Sequence, residues 1–216
     1  MTNLIIRKLG LMPYNTTWQL MKDFTHQRTL STPDEFWLVE HLPVFTQGQA
    51  GKPEHLLNPG TIPIVQSDRG GQVTYHGPGQ LVIYVLINLK RKNLGVKLFI
   101  THLENAIISL LAQHNILGTT QTKAPGVYVN QCKIASLGLR VRRGCSYHGV
   151  SLNVSMDLEP FNRINPCGYP DLKVVQMREF NHSVSTSEVA PPLVTHLMHH
   201  LGYTNIIEEI ERSEGI

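Results

Sequence analysis

The stretch KIASLGLRVRRGCSYHGVSLN, residues 133–153, has the pattern of a β-hairpin and decides the fold class. In residues 133–142, and again in 146–154, apolar side chains alternate with small or polar ones, which is typical of a strand. Arg143 and Gly144 supply the turn between the two segments. Two strands joined so closely run antiparallel, so the sequence predicts antiparallel sheet here.

One face of this predicted hairpin carries little side-chain bulk. Alternation gathers Leu137, Leu139, Val150 and Leu152 on one face and small or polar residues on the other. Such a face leaves room for a slender ligand chain, or it lets a helix pack closely, and the pattern allows both. Its members are Ile134, Ser136, Gly138 and Arg140 from the first segment and Gly149, Ser151 and Asn153 from the second.

Alternation also places Lys133 with the apolar residues of its strand. Burial disfavours the charged form, so we expect a lowered pKa for Lys133, which suits an acid–base lysine. The same alternation points Lys133 away from Ser136, and only a β-bulge or the strand end would bring the two to one face. The alternative is a solvated surface lysine.

Strand-like and helical segments surround the hairpin in groups. Helical spacing occurs at 17–29, 96–115 and 161–165. Strand patterns occur at 4–9, 35–45 with a break at Pro43, 62–66, 81–89, 127–130 and 174–180. The predicted fold class is α+β, a mixed, largely antiparallel sheet with flanking helices.

The remaining segments are a loop and the C-terminal region. Residues 46–60 are rich in glycine, proline and polar side chains and are predicted to form a loop. Ser187 is expected to cap a last helix, with Glu188 in its first turn. The charged residues 208–216 are expected to fray.

Composition limits the functional classes. The 216 residues carry a formal net charge of +3, too mild to indicate a nucleic-acid partner. No apolar run approaches the roughly 20 residues of a membrane helix, and residues 1–8 lack a signal-peptide core, so we expect a cytoplasmic protein without membrane contact. Three cysteines without C-x-x-C spacing, and histidines without H-E-x-x-H, argue against disulfides and a metal site.

A glycine-rich stretch, RGGQVTYHGPGQ at residues 69–80, precedes the predicted strand 81–89. Its glycines allow the backbone to approach a ligand closely, and Arg69, Tyr75 and His76 can supply polar contacts. The alternative is a tight turn with glycines at positive φ. The stretch is not a P-loop, because G-x-x-x-x-G-K-[ST] is absent.

Cys167 lies between Pro166 and Gly168, in a segment typical of a turn. A free cysteine is most often a small buried apolar residue, and Cys132 and Cys145 allow the same interpretation. A thiol reacts as a nucleophile only as its thiolate, which requires a nearby cation or base.

Together these segments resemble the lipoyl(octanoyl) transferase family. The glycine-rich stretch 69–80, followed by Tyr84, is similar to the family's signature. APGVYV at 124–129 with KIASLG at 133–138 resembles its second block, and His148-Gly149 with Leu152-Asn153 resembles its third. Pro166-Cys167-Gly168 resembles its fourth, so the resemblance covers most of the chain.

The resemblance implies roles for particular residues. Cys167 matches the cysteine that carries the acyl thioester, and Lys133 matches the catalytic lysine. The implied fold is that of lipoate and biotin ligases, with residues 1–216 as one octanoyltransferase catalytic domain and neither metal nor cofactor. The implied substrate contacts are Arg69, Gly70, Gly71, Gln72, Val73, Thr74, Tyr75, His76, Ser136, Leu137, Gly138, Gly149, Val150 and Ser151.

The resemblance also implies the reaction. An octanoyl group moves from octanoyl-acyl carrier protein to a specific lysine of a lipoyl domain, the first step of endogenous protein lipoylation. The implied acceptors are the lipoyl domains of 2-oxoacid dehydrogenases and the glycine cleavage H protein. Two basic clusters, 90–92 and 140–143, would suit acidic partners; the alternative is that they are solvated turns.

Other functions remain open from the residues alone. An ATP-dependent lipoate or biotin ligase would use free acid and ATP and would not need Cys167. A non-enzymatic module that binds lipoyl domains or acyl carriers would form no thioester. A thioester hydrolase would release free octanoate without an amine acceptor.

Overall fold

Eleven strands and three α-helices make up the described part of the chain, residues 4–122 and 124–211 of a computed structural model. The helices are α1 (Tyr14–Gln27), α2 (Val96–Gln113) and α3 (Thr186–Leu201). The strands are β1 (Leu4–Met12), β2 (Asp34–His41), β3 (Val44–Gln47), β4 (Ile64–Gln66), β5 (Val73–His76), β6 (Gln80–Leu86), β7 (Thr119–Thr120), β8 (Gly126–Val129), β9 (Cys132–Arg142), β10 (Cys145–Asn153) and β11 (Ile206–Glu211).

Eight strands form one mixed sheet in the order β11-β1-β2-β6-β10-β9-β8-β7. Strand β1 runs parallel to β2 and β11, and every other neighbouring pair is antiparallel. A second sheet has the order β4-β3-β5. The α+β prediction of a mixed, largely antiparallel sheet with flanking helices is therefore confirmed.

Helices cover both faces of the large sheet. Helix α1 packs on one face, where Met21 belongs to a buried cluster with Trp37 and Tyr84, and α2 and α3 pack on the other, where Phe99 and Ile83 belong to the main core. Because both faces are covered, every residue of β6 is buried. Within residues 4–122 and 124–211, no helix is long and apolar enough to cross a membrane.

The hairpin that decided the fold class is β9 and β10. Gly138 pairs with Gly149 and Ser136 with Ser151, so the predicted small side chains form a strip across both strands. A Cβ at position 149 would lie 2.1 Å from the Ile83 carbonyl oxygen, so Gly149 also allows β6 to approach. The strand break at Pro43 is confirmed as well, since β2 and β3 lie in different sheets.

Three local predictions were wrong. Residues 174–180 form no strand: only Val174 bridges to Lys133, and Met177–Glu179 is a 3-10 turn closed by a capping box. The cap of α3 is Ser185, whose side chain accepts the Glu188 N–H while Glu188 bonds back, a spacing that Ser187 cannot satisfy. Residues 208–211 belong to β11, because their backbone pairs in parallel with residues 5–8 of β1; residues 212–216 lie outside the described part.

Candidate active site

A β-bulge brings Lys133 to the face that Ser136 occupies. Val127 of β8 pairs with Ala135, but the next residue, Tyr128, pairs with Lys133, so Ile134 is an extra residue in β9. Ile134 and Ala135 are accordingly both buried in the main core, although they are adjacent in sequence. Lys133 and Ser136 line one cavity. The conflict that strand alternation posed is resolved by the bulge.

Lys133 contacts Cys167, although 34 positions separate them in sequence. The Lys133 Nζ atom donates hydrogen bonds to the Cys167 Sγ atom and to the Pro125 carbonyl oxygen, each at 3.1 Å. Lys133 is only 3% exposed, and its Nζ atom lies 5.3 Å from the centre of the Tyr128 ring. The cation that a reactive thiol requires is therefore in place.

Cys167 has an unusual backbone conformation. It lies in a 3-10 turn, Pro166–Gly168, with φ of 57°, a left-handed region that non-glycine residues seldom occupy. Gly168, with φ of 82°, continues the left-handed turn, and a Cβ there would lie 3.1 Å from the Gln72 side chain. Strained backbone of this kind clusters at functional sites.

The direction of the Lys133 pKa shift differs from the expectation. Burial is the largest single influence and lowers the pKa of Lys133, but negative charge on Cys167 and Tyr128, with their hydrogen bonds, raises it further than burial lowers it. The net pKa of Lys133 therefore lies above its ordinary value, and the predicted lowering was wrong. Strand alternation indicates burial of Lys133, but it does not show that the ionisable groups of Cys167 and Tyr128 lie beside its ammonium.

Gly126 is required for Lys133 to take this position. Its φ is 143°, and a Cβ at residue 126 would lie 2.5 Å from the Lys133 Cε atom and 2.7 Å from the Ala135 carbonyl oxygen. Only glycine has room between these atoms. Packing against Lys133 and Ala135 thus explains the glycine of the APG motif at 124–126.

A cavity of about 360 Å³ extends from Lys133 and Cys167 and is lined by residues of both sheets. This volume lies within the roughly 300–1,000 Å³ of small-molecule sites. Every predicted site residue except Tyr75 lines it. Further lining residues that the sequence analysis did not assign are Tyr14, Val82, Tyr84, Val96, Ile100, Ala124, Pro125, Leu139, His148 and Tyr169.

Some of these additional residues could have been predicted from the sequence, and others could not. Ala124, Pro125, Tyr84 and His148 stand within or beside the motif blocks, so adjacency could have identified them. Tyr14 lies outside every motif block, and its place in the cavity could not be predicted because α1 brings it there from far away in the chain. The side chain of Tyr75 packs away from the cavity against Phe45 and Phe161, a correction that follows from alternation along β5.

The Arg69 guanidinium donates its hydrogen bonds to its own loop and to Thr46 of β3. It donates to the Thr46 carbonyl oxygen at 2.6 Å, to the Gln72 carbonyl oxygen at 2.8 Å and to the Gly70 carbonyl oxygen at 2.9 Å. Burial lowers the pKa of Arg69. Its aliphatic stem crosses Gly138, where a Cβ would lie 2.9 Å from the Arg69 Cδ atom. Arg69 therefore shapes the cavity wall with its stem.

Two buried histidines beside the cavity are neutral. The His76 Nδ1 atom bonds the Gln80 side chain at 2.6 Å, and the His41 Nε2 atom bonds the Tyr84 hydroxyl at 2.6 Å. Burial lowers the pKa of His41 to about 4, and burial together with the charge of His41 lowers the pKa of His76 to about 3. Neither side chain is positively charged near pH 7.

This pair predicts acid sensitivity of the fold. Between pH 6 and 4 the unfolded chain protonates His76 while the folded chain does not, so the free energy of unfolding decreases as pH falls. We expect His76→Gln to reduce the slope of that decrease by up to about 1.4 kcal/mol per pH unit. Urea unfolding at several pH values measures it. The exposed His26→Gln is the control, and an unchanged slope in His76→Gln would contradict the assignment.

Solved structures with the same fold define the class of protein. Lipoate-protein ligase A bound with ATP matches with a TM-score of 0.79 and 16% identity, covering 99% of this chain and 90% of that one. Biotin protein ligase from Aquifex aeolicus matches with a TM-score of 0.55 and 11% identity, covering 94% and 70%. The fold is that of lipoate and biotin ligases, as predicted.

Sequence comparison then defines the family. Residues 13–198 match the family described as the lipoyl protein ligase A/B catalytic domain. The octanoyltransferase of Erwinia tasmaniensis is 57% identical, over 94% of this chain and 91% of the relative, and that of Shewanella sediminis is 52% identical, over 99% and 98%. The chain belongs to the octanoyltransferases of this family and is an acyltransferase.

Proposed function

We propose that the chain moves an octanoyl group from octanoyl-acyl carrier protein to a specific lysine of lipoyl domains through a thioester on Cys167. The observation that carries this proposal is the 3.1 Å contact between the Lys133 Nζ and Cys167 Sγ atoms at the wall of the cavity. The acceptors would be lipoyl domains of 2-oxoacid dehydrogenases and the glycine cleavage H protein. This reaction would use no ATP, metal or cofactor, because the donor thioester is already activated.

The small-residue strip would hold the acyl chain. Ser136, Gly138, Gly149 and Ser151 line the cavity, and the aliphatic stem of Arg69 lies over Gly138. Burying each methylene of the chain contributes roughly 0.8 kcal/mol, so a chain that fills the cavity binds more tightly than a shorter one. The substrate contacts proposed for residues 69–76 would come from the loop 69–72 and from β5, which line the same cavity, without the Tyr75 side chain.

The first step would consume the proton on Lys133. The Cys167 thiolate attacks the donor carbonyl carbon, and the bond from that carbon to the pantetheine sulfur breaks. The departing sulfur takes a proton from the Lys133 ammonium and leaves as a thiol. The products are octanoyl-Cys167 and a neutral Lys133. One thioester replaces another, so the step is close to isoenergetic, and the reaction proceeds in ping-pong order.

Acylation would then turn Lys133 from an acid into a base. Negative charge on Cys167 is one of the influences that raise the pKa of Lys133, and a thioester carries no such charge. Burial, which lowers the pKa of Lys133, remains. A neutral Lys133 can accept the proton that the acceptor amine loses as it attacks the thioester carbonyl. Release of the Cys167 thiolate restores the starting pair.

Mass spectrometry after incubation with octanoyl-acyl carrier protein tests this function. We expect one hydroxylamine-labile octanoyl adduct on Cys167 and its transfer to the lysine of an added lipoyl domain. Turnover without an adduct on Cys167 would exclude the thioester. Turnover from free octanoate and ATP would instead support a ligase, release of octanoate without an acceptor would support a hydrolase, and binding without chemistry would support a non-enzymatic module.

The carrier protein would dock on a basic surface formed by Lys90, Arg142 and Arg143. The Leu89 N–H donates to the Gly144 carbonyl oxygen at 2.9 Å, and the Lys90 side chain lies against Gly144, so the two basic clusters of the sequence meet. All three side chains are exposed. Complementary charge at an interface rim mainly accelerates encounter, and salt screens it.

We expect Arg142→Ala/Arg143→Ala to raise the KM for the carrier severalfold and to weaken the dependence of that KM on salt concentration. Steady-state transfer at several salt concentrations measures both quantities. Arg178→Ala, an exposed arginine elsewhere, is the control. An unchanged salt dependence in the double variant would exclude this surface.

A further inference from the structure

The three residues 124–126, beside Lys133, are each held by a different hydrogen bond. The Tyr128 hydroxyl donates to the Ala124 carbonyl oxygen at 2.9 Å, and the Lys133 Nζ atom donates to the Pro125 carbonyl oxygen at 3.1 Å. The Gly126 N–H donates to the Glu104 Oε1 atom at 2.9 Å. The segment is therefore fixed to its own strand, to the lysine and, through Glu104, to α2.

Glu104 is unusual for its place in the fold. It lies on the buried side of α2, next to the fully buried Leu103 and one turn from Ile107. Burying a carboxylate is costly without a hydrogen-bond partner, and an aliphatic side chain would suit this helix face on packing grounds. The Gly126 N–H is the partner that the structure provides for it.

We propose that Glu104 is a positioning residue for Lys133, an inference that rests on the proposed function of that lysine. Glu104 anchors the Gly126 N–H, and this bond holds the adjacent Pro125 carbonyl oxygen against the Lys133 ammonium. A lysine side chain has many rotamers, and the carbonyl restricts Nζ to the one that meets Cys167. Loss of the anchor releases the 124–126 segment and with it the orientation of Nζ, to which proton transfer is sensitive.

Two substitutions separate the acceptor from the packing. Glu104→Gln keeps a side-chain oxygen for the Gly126 N–H, whereas Glu104→Leu removes the acceptor at similar volume. We expect the single-turnover acylation rate of Cys167 to stay within about threefold of wild type in Glu104→Gln and to fall about tenfold or more in Glu104→Leu, with the carrier KM unchanged. Thr101→Ala, an exposed residue of the same helix, is the control.

A double-mutant cycle distinguishes positioning from general destabilisation. In a Lys133→Ala background, Glu104→Leu should cause no further loss of acylation, since the group it positions is gone. Equal losses in both backgrounds, a wild-type rate in Glu104→Leu, or a Gln variant as slow as the Leu variant would each overturn the proposal. If Glu104→Leu does not fold, Glu104→Met takes its place.

Alkylation of Cys167 by iodoacetamide keeps this test independent of the octanoyl reaction. Near pH 7, Glu104→Leu should lower the rate of Cys167 alkylation when Lys133 is present and should leave that rate unchanged in the Lys133→Ala background. If the wild-type chain forms no octanoyl adduct, the proposed function fails, while the alkylation rates still decide the role of Glu104.

Discussion

Octanoyl transfer is expected to fall by on the order of a thousandfold when Cys167 is replaced by serine. A serine hydroxyl stays protonated beside the Lys133 ammonium, so the attacking thiolate of the first step is lost. An oxygen ester at this position would also be a poorer acyl donor to an amine than a thioester. The octanoyl adduct at residue 167 should vanish from mass spectra after a time that saturates wild type.

Controls for this experiment come from the same chain. Cys132→Ser and Cys145→Ser should retain transfer, because the thiol to which the Lys133 Nζ atom donates is that of Cys167. The melting temperature of Cys167→Ser should remain close to wild type, since serine can adopt the same left-handed backbone with nearly the same shape. Full transfer by a folded Cys167→Ser protein without an adduct at residue 167 would exclude covalent catalysis and would favour a ligase mechanism.

Lys133→Ala should slow transfer by roughly 10²–10³-fold, within the range that general acid–base catalysis contributes. The variant loses the proton donor of the first step and the base of the second. Single-turnover measurements of Cys167 acylation and of amine transfer separate the two losses. Lys173→Ala is a suitable control, because the Lys173 side chain is exposed and its backbone carbonyl oxygen accepts the Lys133 N–H.

Lys133→Arg tests the acid–base switch more sharply. Arginine retains a positive charge that can hold the Cys167 thiolate, but it does not give up a proton at accessible pH. We expect some acylation of Cys167 to survive while transfer to the acceptor amine stays as slow as in Lys133→Ala. Rapid amine transfer by Lys133→Arg would contradict the role of Lys133 as a base.

Much of the fold could be predicted from the sequence because its signals are local. The alternation in residues 133–153 predicts β9 and β10, and Pro43 separates β2 from β3. Local signals failed where distant partners decide the structure: β11 pairs with the backbone of β1, and residues 174–180 form a bridge to Lys133 and a 3-10 turn. The sequence of residues 208–211 cannot indicate a partner strand about two hundred positions away.

The candidate site divides in the same way. Most of the residues that line the cavity could be assigned from the motif blocks, because residue identity and spacing within a motif are visible in the sequence. The Tyr75 and Arg69 side chains show the limit of such assignment: Tyr75 packs in a different core, and Arg69 donates its hydrogen bonds to β3 and to its own loop. Glu104 lay outside the assignment altogether, since a glutamate in a helical pattern reads as a solvent-exposed residue.

The sequence by itself determined the chemical groups, a thiol at Cys167 and an amine at Lys133, and the strand alternation that builds the small-residue strip. Only the tertiary structure decided that the two groups meet, because a one-residue bulge at Ile134 turns Lys133 toward the cavity. It also decided the sign of the Lys133 pKa shift. Alternation acts along the chain, whereas charge and hydrogen bonding act through space, so a pKa depends on neighbours that packing alone assembles.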